Sequence, residues 1–186
     1  MQQRYLCSVL FARGTGLLKK SLDGVDRRQL NYAIRAGLQN EDGHARGILA
    51  GVFKNLSYEE IELLLPQIYK AVVEPAPTGN MFADNVRLTG LEILAKHRIK
   101  EGVPLCYDLI ERTRWGQGKR LEKCLKTLQQ YGSAGKSLVP KLKQLEKDLG
   151  KDKPSDKKTK RIQLVRQTIK VISSGKAEKL RPLPRG

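Results

Sequence analysis

Pro66, Pro104 and Pro140 recur at intervals of 38 and 36 residues, each inside an apolar run with helical spacing. The local sequences are Leu64-Leu65-Pro66-Gln67-Ile68, Gly102-Val103-Pro104-Leu105-Cys106 and Leu138-Val139-Pro140-Lys141-Leu142. Proline inside a helix removes a backbone donor and costs about 3 kcal/mol, so three matching occurrences need a common cause. A second echo pairs Val86-Arg87-Leu88-Thr89 with Val165-Arg166-Gln167-Thr168, 79 residues apart and so about two proline periods. Two echoes at one period predict an array of helical repeats, in which each hairpin leaves an apolar face for its neighbour to cover. Such an array offers a long surface, which directs the functional reading towards binding rather than chemistry.

The chain of 186 residues is 39% hydrophobic and 30% charged, enough for a core in a domain of ordinary size. Aromatics are scarce (3 Phe, 1 Trp, 6 Tyr), so that core must be built from Leu, Ile, Val and Ala, which suits helix-on-helix layers. No segment alternates with period two over a strand's length, and the expected class is all-α. No run approaches the ~20 apolar residues needed to span a bilayer. The apolar stretch 6–12 is followed by Arg13 and Gly14 without a cleavage pattern, so neither export signal nor membrane insertion is expected. Cys106 and Cys124 sit among apolar residues at helical phase and, like Cys7, lack metal-ligand spacing. They read as small buried hydrophobes.

The net charge of +17 is unevenly spread. Residues 1–98 carry 13 Lys/Arg and 10 Asp/Glu, whereas residues 99–186 carry 23 and 9, a net +14. That asymmetry points to a polyanion or an acidic partner on the C-terminal half, or to solubilising charge on a helical surface.

Apolar periodicity predicts helices over 26–38, 44–55, 57–72, 84–97, 103–112, 119–131, 133–149 and 159–173. Ser57-Tyr58-Glu59-Glu60 is a capping box, and Gly132 is a helix stop. The repeat domain is expected over 22–173, with a disordered basic tail over 174–186. Residues 1–21 are expected to form a partial preceding repeat or an N-terminal helix. Its apolar Leu6, Val9, Leu10 and Phe11 call for a cover, either an upstream repeat or self-association with another copy.

Hairpins with a proline in the first helix and an Asp-x-Val-Arg-like start to the second resemble HEAT repeats. Asp84-Asn85-Val86-Arg87 carries the second feature, Val165-Arg166 carries part of it, and Asp42 with Arg46 carries it with one extra residue between. The helix from Lys119 departs from the pattern, having no acidic start. The resemblance implies a right-handed α-α superhelix of about four hairpins, with Asp42, Arg46, Asp84 and Arg87 as a structural ladder between neighbouring repeats. Residues 22–113 also resemble the helical C-terminal region of a family of large, uncharacterised multidomain bacterial proteins. The phrases at 38–47, 55–61 and 81–88 carry that likeness, which brings no activity with it and implies that the chain is part of a larger protein.

The segment 132–137 imitates the end of a phosphate-binding loop, but Gln130 stands where the first glycine is needed and a helix precedes it. Neither His44 nor His97 has a second His, Cys or carboxylate at i+3 or i+4 on its own helix. No metal, cofactor or catalytic set is expected, and the chain does not read as an enzyme. The one basic cluster holding an aromatic is Arg112, Arg114 and Trp115 with Lys119 and Arg120. It can stack and pair a single strand, anchor a protein partner, or simply pin a glycine loop. Together with Arg87 and Arg166 these are the candidate binding residues; the second helices would add Arg46, Lys123 and Lys126. The expected function is a non-catalytic binding or scaffold module presenting a basic surface to an acidic protein or peptide. The alternative is a HEAT-like nucleic-acid-binding domain making non-specific phosphate contacts, of a DNA-repair kind.

Overall fold

Several helices begin where a side chain accepts from their unpaired first amides. The Asp26 carboxylate accepts from the amides of Arg28 and Gln29 at 2.8 and 3.2 Å and opens α1 (Arg27–Leu38), which buries Leu30, Ile34 and Leu38. Asp42 accepts from the His44 amide at 3.0 Å and opens α2 (Gly43–Phe53). At α3 (Tyr58–Ile61) the capping box is complete: the Glu60 amide donates to Ser57 Oγ, and the Ser57 amide to Glu60 Oε2. The computed structural model describes residues 23–54, 56–78, 83–110, 117–175 and 179–185, and all regular structure among them is helical.

The three prolines mark helix starts. α3 tightens into a 3-10 turn, η1 (Glu62–Leu64), before α4 (Leu65–Val73) begins with Pro66 in its first turn. Another 3-10 segment, η2 (Gly132–Leu138), leads into α8 (Val139–Gly150), with Pro140 in its first turn. Pro104 is the third residue of α6 (Gly102–Asp108). First-turn amides have no partner within the helix, so proline there escapes the penalty it would carry in an interior. The helices expected over 57–72 and 133–149 are therefore each two pieces. After each proline, the residues at +2 and +5 are buried: Ile68 and Ala71, Cys106 and Leu109, Leu142 and Leu145. The echo in sequence is an echo of local structure.

The remaining helices are α5 (Ala83–Lys96), α7 (Gln117–Gln130) and α9 (Asp156–Ser174). α9 starts three residues earlier than expected, because Ser155 accepts from the Lys158 amide at 3.2 Å. α7 ends before Gly132, whose φ of 53° fits a helix stop. α5 ends differently, on Arg98 with a φ of 59°. The Arg98 amide donates to Ala95 O at 3.0 Å and the Ile99 amide to Leu94 O at 2.8 Å, with Ile99 and Leu94 both buried. That is a Schellman motif with arginine where glycine is usual.

The chain divides into two compact units, with the boundary after Ile93 inside α5. In the first unit α1 packs against α2, η1 and α4. Gly37 of α1 lies against Leu49, and Gly90 of α5 against Val72 and Ile68 of α4. In the second unit α6 packs on α7 and η2, α7 on η2 and α9, and α9 on α8 and η2. Its core gathers Leu121, Leu125, Leu128, Leu142, Val165, Ile172 and the fully buried Tyr131. The Tyr131 hydroxyl donates to Ile99 O at 2.9 Å.

Two extended segments dock on turns by one pattern. In the first unit the Gly43 amide donates to Thr78 O at 2.9 Å, and the Thr78 amide to Glu41 O at 3.0 Å. In the second the Lys100 amide donates to Arg181 O at 2.9 Å, and the Arg181 amide to Arg98 O at 2.8 Å. Prolines at alternate positions (Pro75 and Pro77, Pro182 and Pro184) have no N–H to extend either ladder. The tail expected to be disordered is thus paired through Arg181. Its composition lacks an apolar period, but a backbone bridge needs none.

Candidate functional site

The positions singled out in the sequence fall into two groups, one in each unit. Arg46 and Arg87 both serve the C-terminal end of α4. Arg46 donates from Nε to Asn40 O at 2.5 Å and from a terminal nitrogen to Glu74 O at 3.1 Å; Arg87 Nε donates to Val72 O at 2.9 Å. A helix C-terminus leaves its last carbonyls without intrahelical donors and carries partial negative charge, which a guanidinium satisfies on both counts. Burial lowers the Arg46 pKa, and the Glu74 carboxylate partly offsets that. Asp42 caps α2, and Asp84 lies half-buried in the first turn of α5, where a carboxylate suits the dipole. We expect Arg46→Ala and Arg87→Ala each to lower stability by about 1–2 kcal/mol, since each removes a charged donor from backbone acceptors. Because both act on one helix end, the double variant should depart from additivity. Urea unfolding of the four chains checks this; strictly additive losses would show that the two arginines act independently.

The second group lies on α7 and α9, which are neighbours tied by a bond from Gln129 Nε2 to Thr168 Oγ1 at 2.8 Å. Lys119, Lys123 and Lys126 recur at i, i+4 and i+7 on α7, and all three are exposed. Lys126 pairs with Glu122 at 2.6 Å, and its hydrogen bond and charge hold the Glu122 carboxyl below its ordinary range. On α9, Lys160 and Lys170 lie on one exposed stripe with Gln163 and Gln167. Arg166 is exposed and paired to Glu146 of α8 at 2.6 Å. Arg120 is only 7% exposed and faces the core side of α7, so its guanidinium is not presented to a ligand. Arg112, Arg114 and Trp115 lie outside the described residues. Lys160 went unremarked in the sequence, although with Gln163, Gln167 and Lys170 it falls within one side of the helix.

The chemistry available on α7 and α9 is that of clustered amines, which hold carboxylates or phosphates. Elsewhere two of the candidate chemical groups are enclosed. Gly135 of the loop-like 132–137 segment is buried, packed against Leu128 and Ile172. Cys106 Sγ donates to Gly102 O at 3.4 Å; burial, then the neighbouring Cys124, pushes its thiol pKa well up. Among the described residues no group of three His, Cys, Asp or Glu side chains is placed to hold a metal ion. Nor is any described helix long and apolar enough to cross a membrane. Set against known protein families, characterised proteins and solved structures, the chain matches none.

Proposed function

We propose that this chain is a non-catalytic helical-repeat binding module, built from about four HEAT-like hairpins of a right-handed superhelix, that presents a basic surface to an acidic protein or peptide. The observation that carries this reading is the lysine stripe 119, 123 and 126 on α7 beside that of α9. The packing within each unit supports the repeat character. The first helices of the expected hairpins meet one another (α1 on η1 and α4, α6 on η2), and in the second unit so do two second helices (α7 on α9), as in stacked hairpins.

A polyglutamate peptide is the simplest probe. Exposed charge pairs contribute ~0.2–1 kcal/mol each. Converting Lys119, Lys123 and Lys126 together to Gln should therefore weaken binding roughly ten-fold while leaving the helical spectrum unchanged. Equal binding by the native and triple-variant chains would remove α7 as the surface. One feature favours a second reading. Lys143, Lys147 and Lys151 of α8 and its C-terminal cap are exposed too, and extend positive charge beyond the second helices. A phosphate backbone can use such dispersed amines, and its binding weakens steeply with salt. Gel-shift titration of duplex DNA at 50 and 200 mM salt (about a 10³-fold loss for six phosphate contacts) separates the two readings.

A further inference from the structure

The turn over residues 98–101 is held from inside and open on its edge. Ile99 is fully buried, its amide bonded to Leu94 O. Its carbonyl accepts from both the Tyr131 hydroxyl and the Gly102 amide, at 2.9 and 3.1 Å. The Val103 amide holds Lys100 O at 3.1 Å, and Arg98 reaches Gln130 O. The outer edge then presents a fixed row: an acceptor (Arg98 O), a donor (the Lys100 amide) and an anion (the Glu101 carboxylate). All three are met by one short segment, in which Arg181 supplies an amide and a carbonyl and Leu183 donates its amide to Glu101 Oε2 at 2.9 Å. Leu183 is the single amide between Pro182 and Pro184.

We infer that this row is a binding site for an extended peptide with proline on either side of one free amide, occupied in this chain by its own residues 181–183 and open to a segment of the same chemistry supplied in trans. The grip on the resident segment is light. No residue of 179–185 is fully buried, whereas the matching segment of the first unit buries Ala76 and adds a bond from Thr78 Oγ1 to Glu41 O. Two backbone bonds and one carboxylate supply the recognition, in the manner of a strand added to an exposed edge. The prolines limit the footprint to three residues and keep the free peptide extended, which lowers the ordering it needs on binding.

The test uses the full chain and a fluorescein-labelled peptide, Lys-Leu-Arg-Pro-Leu-Pro-Arg, copied from residues 179–185. Replacing Arg181 and Leu183 together by proline removes both donated amides and frees the row without touching the turn. Fluorescence anisotropy should then show the peptide binding the double variant at least ten-fold tighter than the native chain, where the tethered segment competes at an effective concentration of about millimolar. Adding Glu101→Ala to the double variant should weaken the peptide again, by about ten-fold. Equal binding to native and double-variant chains, or indifference to Glu101→Ala, overturns the proposal. So does loss of the helical spectrum in the double variant, because the segment would then be part of the core and not an exchangeable ligand.

Discussion

Gly102→Ala should destabilise the second unit by about 3 kcal/mol, far more than alanine normally does in a helix. A Cβ at this position overlaps the Tyr131 hydroxyl and stands 2.9 Å from Leu94 Cβ. Neither neighbour can step aside. Leu94 Cβ is fixed to the backbone of α5, and the Tyr131 ring is fully buried with its hydroxyl bonded to Ile99 O. Forcing one carbon into such a site costs about 1–3 kcal/mol of strain, and displacing the hydroxyl strands a buried donor for about as much again. The diagnostic is a pair of variants. Tyr131→Phe alone should lose about 1 kcal/mol with its hydrogen bond. The same change on the Gly102→Ala background should recover part of the loss, because the closest overlap is gone while that with Leu94 Cβ remains. Urea unfolding of the four chains measures the interaction. If Gly102→Ala stays within 1 kcal/mol of the parent, the packing described around Tyr131 is wrong.

The second large effect is alkaline. Burial, then Cys124, raises the Cys106 thiol pKa; burial, then Cys106, raises that of Tyr131. Both groups are neutral when protonated, so the folded state keeps protons that the unfolded chain gives up. Above an ordinary thiol pKa of about 8.5 the unfolded state binds fewer protons, and stability falls with rising pH by up to ~1.4 kcal/mol per unit for each group. The stabilising contribution is fully present below pH ~8.5 and declines above it, with Tyr131 joining near pH ~10. The loss should therefore grow as the pH rises from 8.5 towards 10.5. Cys106→Ala should flatten the slope between pH 8.5 and 10 by about one proton. A slope that this substitution leaves unchanged would exclude Cys106 as its source.

Helix starts were legible because a cap is short-range chemistry: Asp26, Asp42 and Ser57 each bind an amide two or three residues away. The prolines showed a period but not their place within a helix. Whether Pro66 kinks a helix or starts one depends on residues 62–64 tightening to 3-10 geometry, which the packing of η1 on α1 decides. The end of α5 near His97 was legible from its period, but not its form, since the burial of Ile99 selects a left-handed backbone at Arg98 with no glycine to announce it. At the candidate site, period alone distinguishes the exposed Lys119, Lys123 and Lys126 from Arg120. Arg120 shares its helical face with the buried Cys124 four residues on, so its enclosure was written in the spacing. The bridge at Arg181 left no trace in the sequence, because it is made by backbone groups that every residue but proline possesses.

That bridge also sets an order of events. Hairpins assemble from neighbours in sequence, whereas the bond between Leu183 and Glu101 closes a span of 82 residues. Loop closure of that length is opposed by entropy until intervening helices fix the distance between its ends. Residues 181–183 therefore join the turn after α6, α7, η2, α8 and α9 have packed, and leave it before any of them loosens. In native-state hydrogen exchange the amides of Lys100, Arg181 and Leu183 should open as a group, at a free energy well below that of the helices, and so report the earliest step in the second unit's unfolding.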